Sequence, residues 1–261
     1  MLTHPLLPKL KALKLSGMSL TLETRSSQAS QEQLSPVEFL ALLLDDELER
    51  RQQHRLQRVL GASGVDASKS LAQFDFGAVP QLNRSLVLEL ASGGFIARGE
   101  NWLSCGPSGV GKSHLAHAIA FEALKRGQSV CLDSAHRVLA DLHAARADGT
   151  FARRFARLCT VDLLVLDDFA LLPLPRQAAE DLYEIIRERY ERRSIVMTSN
   201  RALQEWPPAF GDGLLASAAL DRLTHHAHTL VITGQSFRQR GRKKEETFLN
   251  DPPDSPAEPP S

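Results

Sequence analysis

The string Gly106-Pro-Ser-Gly-Val-Gly-Lys-Ser113 constrains this chain more than any other feature. It matches the pattern G-x-x-x-x-G-K-[ST] in full. A chain of this length meets that pattern by chance on the order of one time in a hundred. The residue types suit one task. Glycines let backbone N–H groups curl around phosphate oxygens, where a Cβ would block the approach. Lys112 brings a cation to the β- and γ-phosphates, and the Ser113 hydroxyl is a ligand for Mg²⁺. An apolar strand precedes the loop, and a helix beginning at Lys112 aims its positive end at the same anion. The candidate ATP-binding residues are therefore Gly106, Pro107, Ser108, Gly109, Val110, Gly111, Lys112 and Ser113, with His114 close enough to phosphate to join them. His114 and His117 otherwise read as packing or surface residues.

A second element is expected about fifty residues on. Leu163-Leu-Val-Leu-Asp167-Asp168 is an apolar run ending in two acids. Ligand sites of open α/β sheets lie at such carboxyl ends. Asp167 is the candidate partner of Ser113 in holding Mg²⁺, and Asp168 the candidate general base for an attacking water. Ile195-Val-Met-Thr-Ser-Asn200 is a further apolar strand, and Asn200 at its end could orient that water or touch the γ-phosphate.

These strings sit in a chain of three zones. Residues 1–70 read as a helical domain for DNA or partner binding. Leu6, Leu7, Leu10 and Leu13 recur at helical spacing, and Gly17 is expected to interrupt them. Ser35-Pro-Val-Glu38 is a capping box with proline in the first helical turn. Phe39, Leu40, Leu43, Leu44 and Leu48 give the next helix an apolar stripe, and Gly61 is the expected stop. Residues 71–241 alternate strands with helices, the signature of a parallel sheet. The expected strands are Trp102–Cys105, Val130–Asp133, Leu163–Asp167, Ile195–Thr198 and Thr229–Ile232, with a helix from about Gln177 to Arg193. Residues 242–261, rich in proline, are expected to be disordered.

Charge discriminates little, because 31 basic side chains face 31 acidic ones. Its distribution is more telling. Arg50, Arg51, Arg55 and Arg58 follow four acids on one helix, and Arg153, Arg154 and Arg157 share a helical spacing. Either set could meet DNA phosphates. Three widely spaced cysteines fit reduced core thiols and a cytoplasmic protein. No run reaches the roughly 20 apolar residues that cross a bilayer. His225, His226 and His228 look like metal ligands, but no further Cys or His lies near enough in sequence to complete a site.

Together these motifs resemble the AAA+ ATPases, and more narrowly the IstB-like helper ATPases of insertion sequences, relatives of the DnaC helicase loaders. The resemblance runs from the N-terminus to about Arg242. It is carried by Leu13-Lys-Leu-Ser-Gly-Met18, by Gly99 to Ala116, by Thr198 to Trp206, by Ala219-Leu-Asp-Arg-Leu223 and by Ile232 to Arg238. It implies a P-loop AAA+ fold, α/β with a five-stranded parallel sheet, behind a small helical N-terminal domain. It implies that Asn200 is the sensor-1 residue, Arg222 an arginine finger given to a neighbouring subunit, and Arg238 the sensor-2 arginine. It further implies ATP and Mg²⁺ as cofactors, with double-stranded DNA and a transposase as partners and a ring or spiral homo-oligomer as the assembly. Many AAA+ members carry Glu where this chain has Asp168, which implies slow turnover. A DnaC-like helicase loader is the alternative reading. A small-molecule kinase is disfavoured, because it needs neither Asn200 nor Arg222.

Overall fold

A computed structural model describes residues 5–234 together with Ser236 and Phe237. Arg238 and the 242–261 segment lie outside the described residues. The chain divides into two compact units, Met1–Ala62 and Ser63–Ser261.

The first unit is helical, with α1 (Leu7–Ala12), α2 (Ser16–Glu32) and α3 (Pro36–Ser63). The capping box forms at the head of α3. Ser35 N–H donates to Glu38 Oε2 at 2.8 Å, and Glu38 N–H donates to Ser35 Oγ at 3.3 Å. Met18, Leu22 and Leu43 make a small core, against which Leu7, Leu10, Leu15 and Phe39 pack. Only part of the expected α3 stripe is used, since Leu40, Leu44 and Leu48 are exposed.

Gly17 does not interrupt a helix. It lies in the first turn of α2. A Cβ there would sit 2.6 Å from the Asp46 carbonyl and the Glu47 Cα, so glycine permits close contact between α2 and α3. The buried Glu47 carboxylate accepts the Gly17 N–H at 2.6 Å and also takes Arg51 Nε at 2.7 Å. Nor does Gly61 end α3. The helix runs to Ser63, and the left-handed residue is Gly64 at φ 78°.

The second unit holds five parallel strands: β1 (Asn101–Cys105), β2 (Val130–Ser134), β3 (Leu163–Phe169), β4 (Ser194–Ser199) and β5 (Ala227–Val231). Their order is β2-β3-β4-β1-β5. Each expected strand is present, with β5 beginning two residues early. Leu103, Leu164, Leu166, Ile195 and Met197 face one core. With them pack α7 (Ala135–Ala147), α8 (Phe151–Thr160), α9 (Arg176–Arg189) and α10 (Gly213–Thr224). Trp102, Val165 and Val196 alternate with these and are equally buried. On their side lie α4 (Arg84–Ser92) and α6 (Lys112–Lys125), with the single turn α5 (Gly94–Ala97) leading into β1. Both sheet faces are covered, as all-parallel sheets require.

Helix α9 stops at Arg189 rather than Arg193 because its last residue is consumed in the core. Fully buried Arg189 donates to the carbonyls of Leu158, Val161, Asp162 and Ser194. It thereby ties the end of α8 to the starts of β3 and β4. Burial pulls its pKa down to about 10.

Residues 63–70 join the second unit and not the helical one. Val65 is buried, and the Asp66 N–H donates to Nδ1 of His117 on α6 at 3.0 Å. That bond requires a neutral imidazole. Burial, with nearby Lys69, lowers the His117 pKa below its usual 6.5. The unfolded chain therefore takes up this proton first as pH falls. The stability contributed is present above about 6.5 and lost as pH falls from there through the lower folded value. Urea midpoints are expected to decline from pH 7.5 to about 5.5, and His117→Gln to flatten that part of the profile. An unaltered profile in the variant contradicts the assignment.

Candidate functional site

The carboxyl ends of β1, β3 and β4 bring the sequence-predicted residues together. Parallel register sets this, with Cys105 level with Ser199 and Leu166 level with Met197. The loop from Gly106 to Gly111 leaves β1, and α6 begins at Lys112. Gly106, Gly109 and Gly111 have φ of 145°, 82° and 102°, backbone that side chains rarely adopt. Val110 has a fully buried side chain, so only its backbone can face a ligand. Lys112 is also buried, and its ammonium donates to Gly106 O at 2.8 Å, Pro107 O at 2.7 Å and Asn200 Oδ1 at 2.6 Å. The cation is thus held by three oxygens at the floor of the loop, in direct contact with the residue at the end of β4.

Ser113 Oγ donates to Asp167 Oδ1 at 3.0 Å. The Thr198 hydroxyl makes a short hydrogen bond to the same carboxylate oxygen. A hydroxyl and a carboxylate at this separation form an oxygen donor set, which suits the hard Mg²⁺ ion. These two side chains would hold it.

Asp168 follows a break in register. The β3–β4 pairing shifts between Leu166 and Phe169, and Asp168 has φ 54°. Its N–H donates to Thr198 Oγ1 at 3.1 Å. The bulge re-aims the side chain, so that Asp168 lines the cavity. Aspartate tolerates left-handed backbone better than most residues.

The cavity has a volume of about 530 Å³ and includes Ser108, Gly109, Gly111, Lys112, Ser113, His114, Asp168 and Asn200 in its wall. Its other wall went unforeseen in the sequence. Lys69, Gln73, Phe74 and Phe237 line it. The Phe74 and Phe237 rings lie 6.2 Å apart. A Cβ on Gly111 would sit 2.7 Å from Phe74 Cε2, so the glycine lets this ring close on the loop. His114 Nε2 meets Ser70 O at 2.9 Å, and its ring packs edge-on against Phe74. An apolar wall beside a phosphate-binding loop suits a nucleobase. Its signal in the sequence was faint: aromatic residues Phe74 and Phe76 in a stretch without periodicity. Thr198 was read only as part of a strand.

Arg222 stands apart, and Arg238 falls outside the described residues. On α10, Arg222 donates to Ala218 O at 2.8 Å, and its guanidinium lies 5.5 Å and 6.0 Å from the Tyr183 and Tyr190 rings. Neither tyrosine lines the cavity.

Comparison with known proteins agrees with this constellation. The model of the family described as IstB-like ATP binding protein matches residues 8–245. A relative from Pseudomonas aeruginosa, named for insertion sequence IS21 and ATP binding, is 36% identical over 92% of this chain and 91% of its own. One from Sinorhizobium fredii, named for insertion-sequence ATP binding, is 39% identical over 94% of this chain and 100% of its own. Among solved structures, DnaI aligns with a TM-score of 0.55 and 23% identity, covering 66% of this chain and 96% of that one. The initiator DnaA bound to AMPPCP and single-stranded DNA aligns at 0.56 and 23%, covering 74% and 58%. These likenesses show that the fold is shared.

If Phe74 is the base wall, Phe74→Ala weakens ATP binding about tenfold, the worth of one aromatic contact. Its affinity for inorganic triphosphate stays unchanged. Competition against a fluorescent nucleotide reads both, and equal loss for the two ligands contradicts the placement.

Proposed function

We propose that this chain, which belongs to the family of IstB-like ATP binding proteins, is an ATP-driven DNA-binding helper for transposition. It assembles on double-stranded DNA with ATP, presents that DNA to a transposase, and is reset by hydrolysis. The observation that carries this reading is the meeting of Lys112, Asn200, Asp167 and Ser113 at the strand ends, with Arg222 away from its own pocket. The helicase-loader reading is weaker. Full-length relatives at 36% and 39% identity are named for insertion sequences, whereas the replication proteins share only the fold.

In this reading Lys112 turns from the loop carbonyls to the β- and γ-phosphates. The loop N–H groups from Ser108 to Ser113 take the remaining oxygens. Mg²⁺, when bound, neutralises charge across those phosphates. Asp167, fixed by Thr198, orients Ser113. Asp168 accepts a proton from the attacking water. Asn200 moves with Lys112, so occupancy of the phosphate subsite is sensed at the end of β4. Arg222 meets the γ-phosphate bound by a neighbour, which makes turnover depend on assembly. The subunits form a ring or spiral.

Exposed Arg153, Arg154 and Arg157 on α8 supply a basic face for DNA phosphates, opposite the stacked Phe151 and Phe155 that face the core. Such binding tolerates sequence and falls steeply with salt. Among the described residues no helix is long and apolar enough to cross a membrane. We assign the protein to the cytoplasm, which suits its three free cysteines.

Two variants test the chemistry. Lys112→Ala is expected to abolish ATP binding. Asp168→Asn keeps a residue that accepts φ 54° and removes the base, so Mg-ATP still binds while hydrolysis falls about 10²-fold or more. Wild-type turnover in Asp168→Asn sinks the base assignment.

Mixing tests the finger. Arg222→Ala binds ATP yet fails to hydrolyse it, since such a residue is worth about a thousandfold or more. Lys112→Ala protomers can still lend Arg222. Mixed on DNA, the two variants recover turnover that neither has alone. Mixed assemblies that form without recovery return Arg222 to a structural role.

A further inference from the structure

The amino ends of the strands carry a second cluster, at the other end of the sheet from the phosphate loop. Glu191, His225 and His226 are exposed, and one donor atom from each lies within 4.8 Å of the others. Glu191 precedes β4 and the two histidines precede β5. The five residues of β1 span roughly 17 Å, so this cluster is separate from the nucleotide cavity. The sequence offered His225, His226 and His228 with no further Cys or His nearby; the fold brings in Glu191, from 34 positions upstream of His225, where the sequence offered His228. His228 is not part of it, because its Nε2 pairs with Glu100 Oε2 at 2.8 Å.

We propose that Glu191, His225 and His226 form a binding site for a divalent transition-metal ion of the Zn²⁺ class. Two imidazole nitrogens and one carboxylate oxygen are a borderline donor set. It fits Zn²⁺ and does not fit Mg²⁺ or Ca²⁺, which take oxygen ligands. Water completes a tetrahedron. Ligands about 2.0–2.1 Å from zinc stand about 3.3 Å from one another. The donors must therefore close by about 1.5 Å at most, a movement within reach of exposed rotamers.

The backbone beneath the ligands is fixed independently of the cluster. Asn101, the first residue of β1, organises it. Its N–H donates to His226 O at 3.3 Å, its Nδ2 donates to Leu223 O at 3.1 Å, and its Oδ1 accepts the Ile195 N–H at 2.9 Å. The turn carrying Glu191 is seated on Gly99, where a Cβ would stand 3.1 Å from the Glu191 carbonyl carbon. Glu191 and His226 both hold left-handed backbone, at φ 56° and 54°. Glutamate rarely does so, whereas histidine is among the side chains that take it more often. The His225 and His226 ring centroids stand 4.0 Å apart. Tyr190 Oη lies 2.8 Å from His225 Nδ1, the nitrogen that also stands 3.5 Å from Glu191 Oε1, so an ion bound through that nitrogen would displace the phenol contact. The same Tyr190 ring neighbours Arg222. An ion here would stiffen the surface from which that arginine projects.

The test uses the untagged full-length chain, with Zn²⁺ followed by calorimetry and Co²⁺ by visible absorption. One equivalent of Zn²⁺ is expected to bind in the micromolar range, and Co²⁺ to give the intense visible band of a tetrahedral site. His225→Gln/His226→Gln is expected to weaken Zn²⁺ binding at least about tenfold and to remove the band. Glu191→Gln, at an exposed turn, is expected to act in the same direction, and His54→Gln to change nothing. Circular dichroism checks that each variant folds. If the double variant does not fold, Glu191→Gln alone decides. Absence of a Zn²⁺ equivalent in the wild type overturns the proposal. So does a loss of less than tenfold in the deciding folded variant.

Discussion

One carboxylate oxygen holds the nucleotide end of this molecule together. Asp167 Oδ1 receives the hydroxyls of Ser113, at the head of α6, and of Thr198, on β4. Three segments far apart in sequence are tied at a point where each presents polar atoms. Thr198 then accepts the Asp168 N–H and so fixes the bulge that carries the acid. Hydrogen bonds to an ionised acceptor are stronger than neutral ones, and a partly buried network of them rigidifies what it joins. The loop glycines set a path for the backbone, but Asp167 sets its distance from β3 and β4.

The Lys112 ammonium adds a second tie of a different kind. Oxygen partners come from the loop itself, at Gly106 and Pro107, and from Asn200. Phosphate oxygens would compete for the same cation. The β1–α6 loop and the end of β4 are therefore linked through a contact that a ligand can replace, whereas the Asp167 tie would remain. This pairing of a fixed joint with an exchangeable one is how a nucleotide could change the surface around Asn200 without disturbing the core.

Local signals were readable in the sequence, and long-range ones were not. The strand from Trp102, the loop and the helix start at Lys112 were legible because apolar run, glycines and following helix are contiguous. The capping box at Ser35 and Glu38 was legible for the same reason. Gly17 was misread as a break because the reason for glycine lies thirty residues away, in the backbone of Glu47. The end of α3 moved from Gly61 to Gly64, the glycine that takes left-handed backbone. Phe74 faces the loop through Gly111 across 37 positions of sequence. Asp168 was seen as an acid, but its φ of 54° was invisible. Glu191 joined the histidines only through the neighbouring ends of β4, β1 and β5.

On the proposed function, ATP makes this chain assemble on DNA through contacts that bring Arg222 to a neighbour's phosphates. Electron microscopy of the protein on long double-stranded DNA with a slowly hydrolysed ATP analogue tests it most directly. The account predicts a ring or spiral of subunits around the DNA, absent with ADP, with each Arg222 within reach of the adjacent phosphate loop. Subunits bound singly, or an assembly that forms equally without nucleotide and leaves Arg222 turned from its neighbour, would contradict it.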